Sequence, residues 1–233
     1  MTEPLSIWIT GAPIEPARRD QGSFADMIVR HIGDSWSGDY QLVDCENLHE
    51  PLPSHGQVAG VVVTGSPAHV QDQEPWMIRC QSALHALAGT GTPVLGICFG
   101  HQLLGQAFGG GVAPNPRGPE FGIVPIELSC DDELLGAAGT HYAAMAHFDS
   151  VRALPEGASL LARSAREELA AVRYAPRVWG VQFHPEMDEA IARHYVEYYG
   201  AAWDDAAGRA ARAEGDYAGQ LLRRFARLCS ARE

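Results

Sequence analysis

Short apolar runs along the chain alternate with stretches whose apolar residues recur every three or four positions. Leu5 to Thr10 (LSIWIT) is rich in Ile and Trp and stops at Gly11 and Pro13, which predicts a buried strand followed by a turn. Phe24, Met27, Ile28, His31 and Ile32 then line one face of a helix from about Ser23 to Ile32, ended by Gly33. Tyr40 to Val43 reads as a second strand. Gly60 to Val63 (GVVV) reads as a third, its β-branched run suiting a strand covered on both faces, and the polar turn Thr64-Gly65-Ser66-Pro67 follows at once. Glu74 to Leu87 predicts a helix with Pro75 near its first turn and Met77, Cys80, Leu84 and Leu87 along one side, and Pro93 to Ile97 a fourth strand. This alternation predicts an α/β fold with a central, mostly parallel sheet and helices on both faces. Chemistry in such sheets gathers beyond the carboxyl ends of strands. Two turns lie at such ends, at 64–67 and 98–100.

After Phe108 the texture changes. A Gly- and Pro-rich stretch through Pro119 leads into Phe121 to Leu128 and further short β-like runs, among them Ser159 to Leu161, Ala170 to Tyr174 and Val178 to Phe183. They predict a partly antiparallel second half of the sheet. From Met187 the pattern is helical: Ile191, Tyr195 and Tyr198 share one face of a first helix, and Tyr217, Leu221, Phe225 and Leu228 one face of a last one. Both are expected to pack on the body of the domain. A single domain over 1–233 is expected, with a core at about 5–190 and C-terminal helices at about 187–233.

Composition narrows the functional classes. Hydrophobic residues make up 46% and charged residues 20%, enough apolar material for a sizeable core. With 29 acidic and 17 basic residues the net charge is -12, which disfavours nucleic acid and anionic membrane surfaces as partners. No run of about 18 apolar residues exists, and Met1 to Pro4 do not begin a basic-then-apolar leader, so a cytoplasmic protein is expected. The five cysteines (45, 80, 98, 130 and 229) are odd in number and lack any C-x-x-C pair, so neither a disulfide framework nor a zinc site is expected. Cys45, Cys80, Cys130 and Cys229 are read as buried and inert.

Cys98 differs. Gly96-Ile97-Cys98-Phe99-Gly100 has the G-x-nucleophile-x-G form of an elbow between a strand and a helix (Phe99 to Phe108), where the backbone is strained and bulky neighbours would collide. The positive end of that helix favours a thiolate. The base and its orienter need only be near in space, and Val181-Gln182-Phe183-His184-Pro185-Glu186 offers both, with Pro185 fixing the backbone between His184 and Glu186.

GICFGHQLL at 96–104 and VQFHPE at 181–186, with His184 86 residues after Cys98, resemble the two signature motifs of the class I, or triad, glutamine amidotransferases. Val61 to Pro67 (VVVTGSP) is similar to that family's oxyanion turn, and Met145-Ala146-His147-Phe148-Asp149-Ser150-Val151 to its M-S-H-x-D-x-V segment, so the likeness covers most of 5–190. The resemblance implies a flavodoxin-like three-layer sandwich and cysteine-dependent hydrolysis of the glutamine side-chain amide through a γ-glutamyl thioester. In it Cys98 is the nucleophile, His184 moves the protons and Glu186 orients the imidazole. It implies oxyanion donors at the backbone of Phe99 and of the Gly65–Ser66 turn, and substrate contacts at Gln102, His147 and Phe148, the latter two largely through backbone. One departure is Ser66, which stands before the proline where the family usually has glycine. His101 is read as structural.

No cofactor is expected, the scattered histidines lack metal-ligand spacing, so no metal is expected, and the chain has no G-x-x-x-x-G-K-[ST] run of a synthetase module. A separate synthetase subunit is one implied partner; a γ-glutamyl peptidase-like hydrolase acting alone on peptides or conjugates is the alternative reading. The stretch NPRGPEFG at 115–122 resembles that of stand-alone relatives. Two rivals remain: another elbow-bearing cysteine hydrolase, such as a peptidase or deglycase, and a catalytically silent binding or regulatory protein. The aromatic tail helices could mediate an oligomer.

Overall fold

The computed structural model describes residues 3–231. Met1 and Thr2, part of the stretch read above for a leader, lie outside the described residues.

The chain begins with strand β1 (Leu5–Ile9), helices α1 (Glu15–Gln21) and α2 (Phe24–Ile32), and strands β2 (Tyr40–Asp44) and β3 (Gly60–Val63). Helix α3 (Pro75–Ala88), strand β4 (Val94–Ile97) and helix α4 (Phe99–Ala107) follow. Seven strands come next: β5 (Val112–Pro114), β6 (Glu120–Leu128), β7 (Gly139–His147), β8 (Asp149–Val151), β9 (Ser159–Arg163), β10 (Ala171–Ala175) and β11 (Val178–Val181). Helices α5 (Glu189–Tyr198), α6 (Asp205–Glu214) and α7 (Tyr217–Ser230) end the fold.

Nine strands form one sheet in the order β2-β1-β3-β4-β11-β10-β9-β6-β7. The pairs from β2 through β11 are parallel and those from β11 through β7 antiparallel. Strand alternation explains the two covered faces. Ile7, Val62 and Leu95 pack with Ile28 of α2 and Leu221 and Phe225 of α7. Their neighbours Trp8, Val61, Val63 and Val94 point the other way, onto Met77 and Leu84 of α3 and Leu103 of α4. A third cluster, with Met27, Ile123, Ala144, Ile191 and Ala207, covers the antiparallel half. That half folds back toward the parallel one: Ala144 in β7 forms a bridge with His184, just past β11.

Helix α2 starts as predicted, because Ser23 and Asp26 make a reciprocal capping box. Other expectations need correction. Tyr198 lies 61% exposed, while Ile191, Ala192, Tyr195 and Val196 form the buried face, since α5 ends at Tyr198 and cannot carry the stripe further. The tail holds three helices, not two: α6 (DAAGRAARAE) buries only Ala207 and Gly208, too little to register as an apolar stripe. Cys130 is exposed, being in the turn after β6, whereas Cys45, Cys80 and Cys229 are buried; all five cysteines are free thiols. Among the described residues no helix is long and apolar enough to cross a membrane.

Candidate active site

The parallel pairing of β4 with β11 sets Gly96 opposite Gly180 and Ile97 opposite Val181. One step beyond β4, the Cys98 N–H donates to the carbonyl of Val181, the last residue of β11, at 2.8 Å, so the elbow and the VQFHPE loop leave the sheet side by side. Cys98 itself has φ 50° and ψ −102°, a conformation L-residues avoid, and caps the N-terminus of α4. Its neighbours are glycines because the turn leaves no room. A Cβ at Gly96 would lie 2.5 Å from the Gly100 carbonyl, and one at Gly100 2.5 Å from the Val63 carbonyl oxygen.

His184 is buried. Its backbone N–H donates to the Ala144 carbonyl at 2.8 Å, and its Nδ1 pairs with Glu186 Oε1 at 2.7 Å, Glu186 being buried as well. Nε2 then has no hydrogen-bond partner of ordinary length, and Cys98 is the other side chain acting on the ring. Burial pushes the imidazole pKa down, but Glu186 and Cys98 outweigh it and raise the value to about 10. Across neutral pH the ring is therefore an imidazolium. Phe24 stacks on it at 5.9 Å and 21°, and Tyr195 lies 6.5 Å away on a tilted plane.

The second turn is built from the ends of β1 and β3. The Thr10 N–H donates to Thr64 Oγ1, and the Thr10 hydroxyl donates to the carbonyls of Thr64 (2.9 Å) or Gly65 (3.1 Å). These buried bonds fix the Gly65–Ser66 backbone beside the imidazole. A Cβ on Gly65 would approach His184 Cε1 to 3.0 Å, which explains the glycine. Ser66 is not among the residues with positive φ, so its backbone conformation is open to any side chain; its hydroxyl accepts the Ala68 N–H at 3.1 Å. Phe99, first in α4, has an N–H with no acceptor within its helix.

A cavity of about 250 Å³ joins these parts, with Cys98, His184, Ser66, Gln102, His147 and Phe148 all in its wall. Among the predicted residues Gly65, Phe99 and Glu186 are not in the wall. Gln102 gives its amide hydrogens to the Asp149 carbonyl (2.9 Å) and Gln182 Oε1 (3.1 Å), leaving its own carbonyl oxygen for another donor. The His147 side chain is only 1% exposed, its nitrogens 3.7 and 3.8 Å from Glu120 and Glu167, so what it offers the cavity is backbone. Phe148 stands at the rim, 45% exposed. His101 is fully buried against the Tyr174 hydroxyl (3.0 Å), and burial lowers its pKa to about 3, so it is neutral.

The cavity wall also holds residues with no assigned role in the sequence reading. His69 Nδ1 pairs with Asp149 Oδ2 at 2.6 Å, and Phe121, Tyr195 and Tyr199 complete an aromatic side. Asp149 lies inside the M-A-H-F-D-S-V segment at 145–151. His69 is 80 residues from its partner and carried no local signal.

A strand-to-helix elbow with a cysteine, facing a buried His–carboxylate pair across a small cavity, defines a class of cysteine-bearing α/β amidotransferase-like proteins. The sequence profile described as "Glutamine amidotransferase class-I" matches residues 20–197. The chain belongs to that family. It is 37% identical over 169 residues to a GMP synthase [glutamine-hydrolyzing] of Aeropyrum pernix (71% of this chain, 31% of that protein). It is 40% identical over 147 residues to the protein of the same name from Parasynechococcus marenigrum (60% and 27%). The chain thus spans less than a third of the length of these relatives. Among solved structures, a glutamine amidotransferase from Thermotoga maritima superposes with TM-score 0.71 at 18% identity, covering 99% of this chain and 100% of that one. One from Methylobacillus flagellatus gives 0.69 at 21%, covering 99% and 94%. These likenesses show the expected flavodoxin-like α/β fold.

Proposed function

We propose that this chain hydrolyses the side-chain amide of glutamine, or a substituted form of it, through a γ-glutamyl thioester on Cys98, with His184 and Glu186 completing a triad. The observation that carries the reading is the buried His184, paired with Glu186 and charged, beside a cysteine held at positive φ on one cavity wall. In the proposed cycle the Cys98 sulfur bonds to the amide carbon, and the oxyanion accepts the N–H of Phe99 and one from the Gly65–Ser66 turn. As the tetrahedral adduct collapses, the C–N bond breaks and the departing nitrogen takes a proton from His184 Nε2, leaving as ammonia or an amine. Water then attacks the thioester, gives a proton back to Nε2, and the C–S bond breaks to release glutamate. Glu186 holds the ring's tautomer and its positive charge throughout. The Gln102 carbonyl oxygen, with backbone of the His147–Phe148 stretch, holds the α-amino acid end.

Hydrolysis by this scheme needs no second protein. The purified chain with glutamine is expected to release glutamate and ammonia in equal amounts, and Cys98→Ala and His184→Ala to stop it. Full turnover in His184→Ala would favour a differently wired cysteine hydrolase. An intact fold with no turnover of any γ-glutamyl amide would favour a silent binding protein.

A further inference from the structure

The cavity has two unlike sides. Gln102, Ser66 and the His69–Asp149 pair make a polar side suited to an amino-acid ammonium and carboxylate. The other side is a row of rings that begins at the proton donor itself. Phe24 stacks on His184, Tyr195 lies 6.5 Å from the same imidazole, and Tyr199 lies 6.4 Å from Tyr195. Phe121 then stacks on Tyr199 at 4.6 Å and 18°, while Phe148 meets both edge-on at 5.3 and 5.2 Å. Phe148 and Tyr199 are 45% and 40% exposed, so the row runs from the buried imidazole out to the mouth.

The position of His184 gives this row its meaning. The imidazolium must protonate the departing nitrogen, so whatever that nitrogen carries leaves past Phe24 and Tyr195 and then along Tyr199 and Phe121. Ammonia has nothing to place there and gains nothing from apolar rings. An aromatic substituent would exchange water for stacked and edge-on ring contacts over its whole length.

We propose that the site takes γ-glutamyl amides of aromatic amines, aryl or aralkyl, in preference to glutamine and to γ-glutamyl amides of small amines. The proposal rests on the hydrolase reading above and names the leaving group within it.

The test compares kcat/KM of the chain alone on γ-glutamylbenzylamide, γ-glutamylmethylamide and glutamine; both substituted amides release primary amines, and the Tyr199 variants below separate contact with the ring from its effect on amine basicity. The benzylamide is expected to exceed the methylamide by about tenfold or more. Tyr199→Ala should cut that ratio several-fold, and Tyr199→Phe should keep it. Equal rates for the two amides, or a ratio unmoved in Tyr199→Ala, would overturn the proposal while leaving the hydrolase reading intact. Glutamine turnover that is silent alone and switched on by a synthetase subunit, with the benzylamide inert, would assign the rings to protein docking and also overturn it. If no amide turns over and a glutamine-analogue electrophile leaves Cys98 unmodified, it is the hydrolase reading that fails.

Discussion

The Cys98 N–H and the Val181 carbonyl, 2.8 Å apart, continue the parallel ladder of β4 and β11 one residue past the end of β4. That bond converts a separation of 86 positions, from 98 to 184, into adjacency. The nucleophile candidate and the His184–Glu186 pair are held in register by sheet pairing, which resists displacement far better than a loop contact would.

The strain at Cys98 should be visible in stability. At φ 50° an L-side chain costs about 1 to 3 kcal/mol, which glycine avoids at an unfolded-state cost of about 0.5 to 1 kcal/mol. Cys98→Gly should therefore be more stable than Cys98→Ala by about 1 kcal/mol, raising Tm by roughly 2 to 4 °C. Paired thermal melts check this. The reverse order would mean the elbow relaxes once the sulfur is gone.

Glu186→Gln should lower the His184 pKa from about 10, because the carboxylate is a main cause of its elevation against burial. The folded value lies above the unfolded one, near 6.5. The contribution of His184 to stability is therefore full below about pH 6.5 and is lost as pH rises through about 10. Urea unfolding of the parent chain between pH 6 and 10 should show this decline, and Glu186→Gln a shallower one. Turnover at neutral pH should fall by about a hundredfold or more in that variant, as the ring loses its orienter.

Gly65→Ala separates positioning from stability. The added Cβ sits 3.0 Å from His184 Cε1 and 3.6 Å from Phe24, so the imidazole must shift by a few tenths of an ångström. We expect kcat/KM to drop about tenfold or more while the unfolding free energy changes by less than about 1 kcal/mol. Gly100→Ala is the counterpart: its Cβ would meet the Val63 carbonyl oxygen at 2.5 Å, which backbone cannot yield, and we expect a loss of about 1 to 3 kcal/mol in urea unfolding.

The sequence made the parallel half of the sheet legible because GVVV and PVLGI are buried on both faces and bounded by Gly, Pro and Ser. The elbow and the VQFHPE loop stood out for the same reason: each sits where a strand stops. Strand β7 did not, since GTHYAAMAH lacks β-branched residues apart from Thr140 and buries small Ala143 and Ala144 beside Met145. Helix α1 (EPARRDQ) buries only Ala17, and α6 little more. The aromatic side of the cavity was hidden because it is assembled from α2, β6, the segment after β7 and α5, whose rings meet only in three dimensions. From the sequence alone, Tyr195 reads only as a packing residue of its helix.

The most direct test is covalent labelling with a glutamine-analogue diazoketone, followed by intact mass and peptide mapping. The account predicts one adduct per chain, on Cys98, absent in Cys98→Ala and much slower in His184→Ala. Labelling that falls on exposed Cys130 instead, or fails to appear on a folded chain, would contradict it.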